Sequence, residues 1–199
     1  MNDQIQLEGI TESIYGGFWL RLGALFLDLL ITSPLMFLFL YLNHSEKNMY
    51  FYTISPYLLF QLWYNVYLPK KYGGTPGKLI AGIKIIRING GAIGWKESVL
   101  RYCYYMVLMI LSTLKMIICL SNADSVIYAS LSWTKQTRYL TSISPQFSKF
   151  YMLSSLIWMF SEIITLLSNK RKRSVHDYIA NTVVVKTKYI DKLNDTLIP

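Results

Sequence analysis

The chain predicts an all-α membrane protein: four transmembrane helices with a small cytoplasmic β element and interfacial short helices. Three observations predict it. Of 199 residues, 53% are hydrophobic and only 16% charged, against about 25% charged in a soluble domain. Apolar runs at about 18–42, 50–68, 98–120 and 150–168 are each close to the roughly 20 residues that cross a bilayer as a helix. The net charge of +9 gathers beside those runs, as it does where a membrane protein meets the anionic cytoplasmic leaflet. That placement argues for the lipid bilayer as partner, with anionic lipid at the basic face, and against nucleic acid.

Residues 1–15 are polar and mildly amphipathic through Ile5, Leu7, Ile10 and Ile14, a loop or short surface helix. Asp3, Glu8 and Glu12 stand where a signal peptide carries Lys or Arg, so the first apolar run is expected to stay. That run holds Arg21 and Asp28. Seven residues apart, they fall on one helix face, about 10 Å apart along its axis. Gly17, Ala24 and Thr32 continue the stripe, which should face protein rather than lipid. A polar turn at Asn43–Asn48 leads to the second run, which contains Pro56 and closes at Pro69. Gln61 and Asn65 lie one turn apart on it, and Tyr50, Tyr52, Tyr64 and Tyr67 crowd its ends as interfacial aromatics do.

The loop 70–96 carries Lys70, Lys71, Lys78, Lys84, Arg87 and Lys96. Residues 83–88 read as a strand closed by Asn89-Gly90-Gly91, the chemistry of a tight hairpin. The third run opens with Arg101 and a tyrosine cluster (Tyr102, Tyr104, Tyr105); residues 121–149 have no assignable element. The fourth run holds Glu162, with Ser155 and Thr165 on the same side, and stops at Lys170-Arg171-Lys172-Arg173. Residues 174–180 read as a short interfacial helix and 182–186 as a strand. Two spans separate the densest basic stretches, so both are expected on the cytoplasmic side, with both termini. The strands then share that side, and 83–88 is expected to pair with 182–186. The domain organisation is a polar segment 1–15, a membrane domain 16–186 and a polar tail 187–199.

Little in the chain suggests an enzyme or a cofactor. Cys103 and Cys119 would stand about 24 Å apart on one helix, too far to bridge, and with two His in all no zinc site is formed. Gly73-Gly74-Thr75-Pro76-Gly77-Lys78 fails as a phosphate loop, with Tyr72 at the first glycine position and Leu79 where magnesium needs Ser or Thr. It reads instead as a tight turn returning to the membrane surface. His176-Asp177 lacks a nucleophile, so Asp177 is expected to pair with a buried Arg or to cap a helix. The intramembrane charges are the stronger signal, because an unpaired carboxylate in hydrocarbon is expensive. Arg21 and Asp28 form either a structural ion pair or clip, or an ion or proton site. Glu162 is a second candidate of that kind, and Gln61 and Asn65 offer neutral oxygens to a small cation.

These pieces together resemble the RDD family of small bacterial membrane proteins, named for one arginine and two aspartates. The resemblance rests on Gly17-Phe18-Trp19-Leu20-Arg21 with Asp28, on Gly74-Thr75-Pro76-Gly77-Lys78 with Gly82-Ile83-Lys84-Ile85, and on Gly90-Gly91 leading to Arg101. It closes with the run from Lys172 to Val185, in which Asn181 stands where the family usually has Gly. Arg21, Asp28 and Asp177 are then the name-giving residues. The resemblance implies exchange of sodium or other alkali cations for protons; four spans are few for a transporter, so a homo-oligomer or a partner membrane subunit is expected. Asp28 and Asp177 would be its carboxylates, with Arg21 setting their pKa. The alternative is a non-transporting scaffold or accessory protein whose charges hold helices together.

Overall fold

The structure, a computed structural model, describes residues 13–190. The readings of residues 1–12 and of the last part of the tail lie outside them. Three helices are long and apolar enough to cross a membrane. These are α1 (Phe18–Ser45), α5 (Trp95–Asn122) and α8 (Pro145–Ser168). Each matches an expected span and extends it, α1 by three residues and α5 and α8 by five each. Large apolar side chains along them, among them Phe26, Leu30, Ile110, Leu153 and Ile164, are exposed, as they must be if lipid rather than protein covers them.

The run expected as a second span departs from that reading. It is helical from Met49 to Tyr72, but in three pieces: α2 (Met49–Leu62), a π turn (Trp63–Tyr67) and α3 (Leu68–Tyr72). Among the described residues three helices are thus uninterrupted over a membrane length. Pro69 supplies the physical reason. It has no N–H, and its ring crowds the carbonyl one turn back. The wider turn, in which the Leu68 N–H reaches Trp63 O, relieves that crowding.

The unassigned stretch 121–149 contains α6 (Ser125–Ser130) and α7 (Trp133–Ile143). Asp124 caps α6, accepting from the N–H groups of Val126 (2.8 Å) and Ile127 (3.0 Å). Between α3 and β1 lies α4 (Pro76–Ile80), with Pro at its first position. Strands β1 (Ile83–Arg87) and β2 (Thr182–Lys186) pair, as the sequence predicts; the pairing is antiparallel, with Ile85 opposite Val184. Tyr15 adds a bridge to Val185, and the Gly16 N–H donates to Val184 O at 2.9 Å. Before β2 lies α9 (Val175–Ile179). The turn at Asn89-Gly90 places only Gly90 at positive φ (86°), so it is not the doubly left-handed hairpin turn.

The chain divides into two compact units. One takes the described residues up to Thr32, then Leu62–Tyr102, then Met159 onward. Its cores are Ile14, Tyr15, Ile86, Val183, Val185 and Tyr189, and Ala24, Ile83, Ile85, Ile93 and Val184. The other takes Ser33–Gln61 and Cys103–Trp158, built on Tyr50, Cys119, Leu120, Ala123, Tyr128 and Leu140. Within it Tyr104 stacks on Trp158 at 3.9 Å, and Lys115 donates to Ser148 Oγ at 2.5 Å. Both cysteines are free, as expected.

Candidate functional site

Two carboxylates organise the first unit, and each is built differently. Asp177 lies in α9 and is fully buried. Ser174 begins that helix, and its N–H donates to Asp177 Oδ2 at 3.0 Å, so the carboxylate closes back on its own helix end. Arg21, from the first turn of α1, donates to the same oxygen at 2.7 Å. Arg101, from α5, donates to Oδ1 and to Thr182 Oγ1. The remaining nitrogens of Arg21 bind Gly16 O (2.9 Å) and Lys172 O (2.6 Å). Both roles expected of Asp177 are present: it pairs with buried arginine and it caps a helix. Burial alone would push its carboxyl up, but Arg101 and then Arg21 outweigh that and hold it well below the usual carboxylate range.

Asp28, two turns along α1 from Arg21, has no charged partner of this kind. Oδ1 accepts from the Tyr64 hydroxyl (2.5 Å) and the Gly77 N–H (2.8 Å), and Oδ2 from the Thr75 hydroxyl (2.6 Å). Three neutral donors converge on it, and among the described residues no ion pair within 4 Å reaches it. Thr75 makes no capping bond of its own to α4, so the carboxylate of α1 caps that helix instead. Gly77 permits the approach. A Cβ there would fall on Ala24 O and within 2.6 Å of Asp28 Oδ1. The Gly-Thr-Pro-Gly-Lys turn is a socket for Asp28, and Ala24, fully buried, is the floor of the contact. Of the stripe expected to face protein, Arg21, Ala24 and Asp28 do so, whereas a Cβ at Gly17 would meet nothing within 4 Å and the Thr32 hydroxyl donates back to Asp28 O of its own helix.

Lys78 follows directly. Its side chain is half-buried, and its ammonium donates to Thr75 Oγ1 at 3.3 Å. Desolvation pulls its pKa down to about 8; Asp28 opposes the shift, while Arg101 and Arg21 add to it.

Glu162 of α8 accepts from His176 Nδ1 at 2.8 Å and from the His176 backbone N–H at 3.1 Å. Burial, followed by the Arg101 charge, lowers the imidazole pKa below its ordinary value. The bond to Glu162 assigns the proton of the neutral ring to Nδ1. Glu162 is thus tied to α9.

Gln61 Nε2 donates to the Tyr57 hydroxyl at 3.0 Å within the second unit, and Asn65 lies in the π turn of the first. Among the described residues no group of three His, Cys, Asp or Glu could hold a metal ion.

Sequence reasoning missed four contributors. Tyr64 reads as an interfacial aromatic, Thr75 as a turn residue, and Arg101 as a charge at a membrane edge. Arg173 reads as part of a solvated basic run, yet it is buried. It donates to Thr182 O and Asp177 O at 3.0 Å each, with its guanidinium 4.0 Å from the Tyr178 ring centre. The signal that finds it is its place next to Ser174, which begins α9.

A family model described as the RDD family matches residues 15–181. A curated relative, an uncharacterized protein YckC of Bacillus subtilis (strain 168), is 33% identical over 87 residues, 43% of this chain. The match spans about half of that relative's length (55%). No solved structure matches.

Proposed function

The chain belongs to the RDD family of membrane proteins, and from that premise we propose that it exchanges alkali cations for protons across the cell membrane. The single observation that carries this reading is the contrast between the two aspartates. Asp177 is neutralised in place by two arginines. Asp28, in the apolar run of α1, is held by neutral donors only. A carboxylate in a membrane-length helix with no cation in contact is one that a mobile cation can complement. We assign exchange to Asp28 and structure to Asp177, which departs from the equal roles that the family resemblance implies.

In this reading the helical run 49–72 completes a fourth span despite its π turn, and the β1–β2 sheet and both termini lie on the cytoplasmic side. The chain works as a homo-oligomer or with a partner membrane subunit, and anionic lipid meets its basic face. The chain is not an enzyme. A second reading, a scaffold without transport, is favoured by one observation: Arg21 and Arg101 join α1 and α5 to α9 and β2 through Asp177, as a purely structural clip would.

The test is purified protein in liposomes with a pH-sensitive dye inside and sodium, lithium or potassium added outside. Exchange predicts cation-driven proton movement that is lost in a folded Asp28→Asn variant. Wild-type protein that inserts correctly and moves no protons favours the scaffold.

A further inference from the structure

Building on the exchange reading, we infer that Lys78 is the resident cation of Asp28 and carries the proton that an arriving alkali cation displaces. The geometry is a hydrogen-bonded chain: the Lys78 ammonium donates to Thr75 Oγ1 (3.3 Å), and the Thr75 hydroxyl donates to Asp28 Oδ2 (2.6 Å). Lys78 is therefore one hydroxyl away from the carboxylate, close enough to balance its charge and too far to occupy its oxygens.

The other charges around Lys78 leave it this role. From α1 come Asp28 and Arg21, from α5 Arg101, and from α9 Asp177. Arg21 and Arg101 are both committed to Asp177. Among the described residues Lys78 has no ion pair within 4 Å, and its ammonium donates to the Thr75 hydroxyl. It is thus the cation left over for Asp28. Arginine stays protonated at every physiological pH, whereas a desolvated lysine can lose its proton. Its pKa of about 8 agrees with that difference.

The step balances. Before it, the site holds an ammonium and a carboxylate. An alkali cation settles on Asp28, one N–H bond of Lys78 breaks, and the proton leaves to bulk water. Afterwards the site holds a cation, a carboxylate and a neutral amine. Charge at the site is unchanged, so one cation is exchanged for one proton and the cycle is electroneutral.

Competitive acetylation read by mass spectrometry tests this on detergent-purified full-length protein. The label is applied across pH in choline chloride and in sodium, lithium or potassium chloride. Lys70, Lys71, Lys84 and Lys96 in the same chain serve as references. Lys78 is expected to label half-maximally near pH 8 in choline. In at least one alkali salt the midpoint should fall by about one unit, roughly a tenfold gain in labelling at neutral pH. Thr75→Val should abolish the cation effect and Thr75→Ser retain it. In liposomes Lys78→Arg, which keeps the charge but not the labile proton, should insert normally and lose exchange. A Lys78 midpoint indifferent to cations, in protein that does exchange them, overturns the inference and leaves the exchange reading standing. Protein that neither exchanges nor shows a cation effect at Lys78 overturns both.

Discussion

The backbone N–H of Gly77 donates to the carboxylate of Asp28 at 2.8 Å, across 49 residues of sequence. A charge inside a membrane-length helix thereby fixes the first turn of a short helix that follows a proline. Both partners gain: α4 receives the cap that Thr75 does not supply, and a costly carboxylate receives donors.

Gly77→Ala tests that contact by adding one methyl group where there is no room. The new Cβ would collide with Ala24 O and the Asp28 carboxylate, and overpacking of this kind costs about 1–3 kcal/mol. We expect a lower melting temperature by tryptophan fluorescence in detergent. Gly17→Ala, with nothing within 4 Å of its Cβ, should melt within a degree or two of wild type. Equal melting of the two variants would refute the socket.

Asp177→Asn should be the most damaging single change in the first unit. It keeps the side-chain volume but leaves the half-buried Arg21 and the buried Arg101 without their counter-charge. Breaking a buried pair by removing one partner costs about 3–5 kcal/mol, which for a chain of this length lowers the melting temperature by roughly 10 °C. Asp28→Asn removes no contact ion pair and should cost less. The opposite order would mean that Asp28, not Asp177, is the structural aspartate.

What could be read in the sequence was what breaks its own local rule. Arg21 and Asp28 stood out because charges do not belong in an apolar run, and strands 83–88 and 182–186 because β-branched residues cluster there. Asp177 is legible as a pairing or capping residue because His176-Asp177 has no nucleophile beside it. The partners were not legible, because each obeys its local rule. Tyr64 looks like an interfacial aromatic, yet the π turn places it in the part of the helix that meets Asp28, and that turn follows from Pro69 rather than from apolar periodicity. Arg173 looks like one more residue of a basic run, and only the return of β2 buries it beside Thr182. The same π turn explains why four expected spans become three uninterrupted ones.

Asn181 has a φ of 53°, and asparagine is among the few non-glycine residues that accept the left-handed region. It ends α9, with its N–H on Tyr178 O at 3.2 Å. Asn181→Gly should be neutral or slightly stabilising, and Asn181→Ala should cost about 1 kcal/mol. A paired thermal melt of the two variants decides it; Ala melting at or above Gly would mean the turn relaxes out of the left-handed region.

Acid should weaken the protein in two steps of known sign. His176 has a folded pKa below its ordinary value of 6.5. As pH falls through that range, the unfolded chain takes up the proton first and stability declines. The cause is burial and the Arg101 charge, so His176→Gln, which adds no titrating group, should flatten this first step. Asp177 follows. Its folded pKa lies well below the ordinary 3.8, so its contribution is complete above that value and is lost as pH falls further, towards protonation of the folded carboxyl. Chemical-denaturation midpoints measured from pH 8 to 3 in wild type, His176→Gln and Asp177→Asn separate the steps. The first should vanish in the histidine variant and the second in the aspartate variant. A wild-type midpoint constant down to pH 4 would show that His176 titrates alike in the folded and unfolded chains. Glu162 would then be stabilising the protonated ring as strongly as burial and Arg101 oppose it.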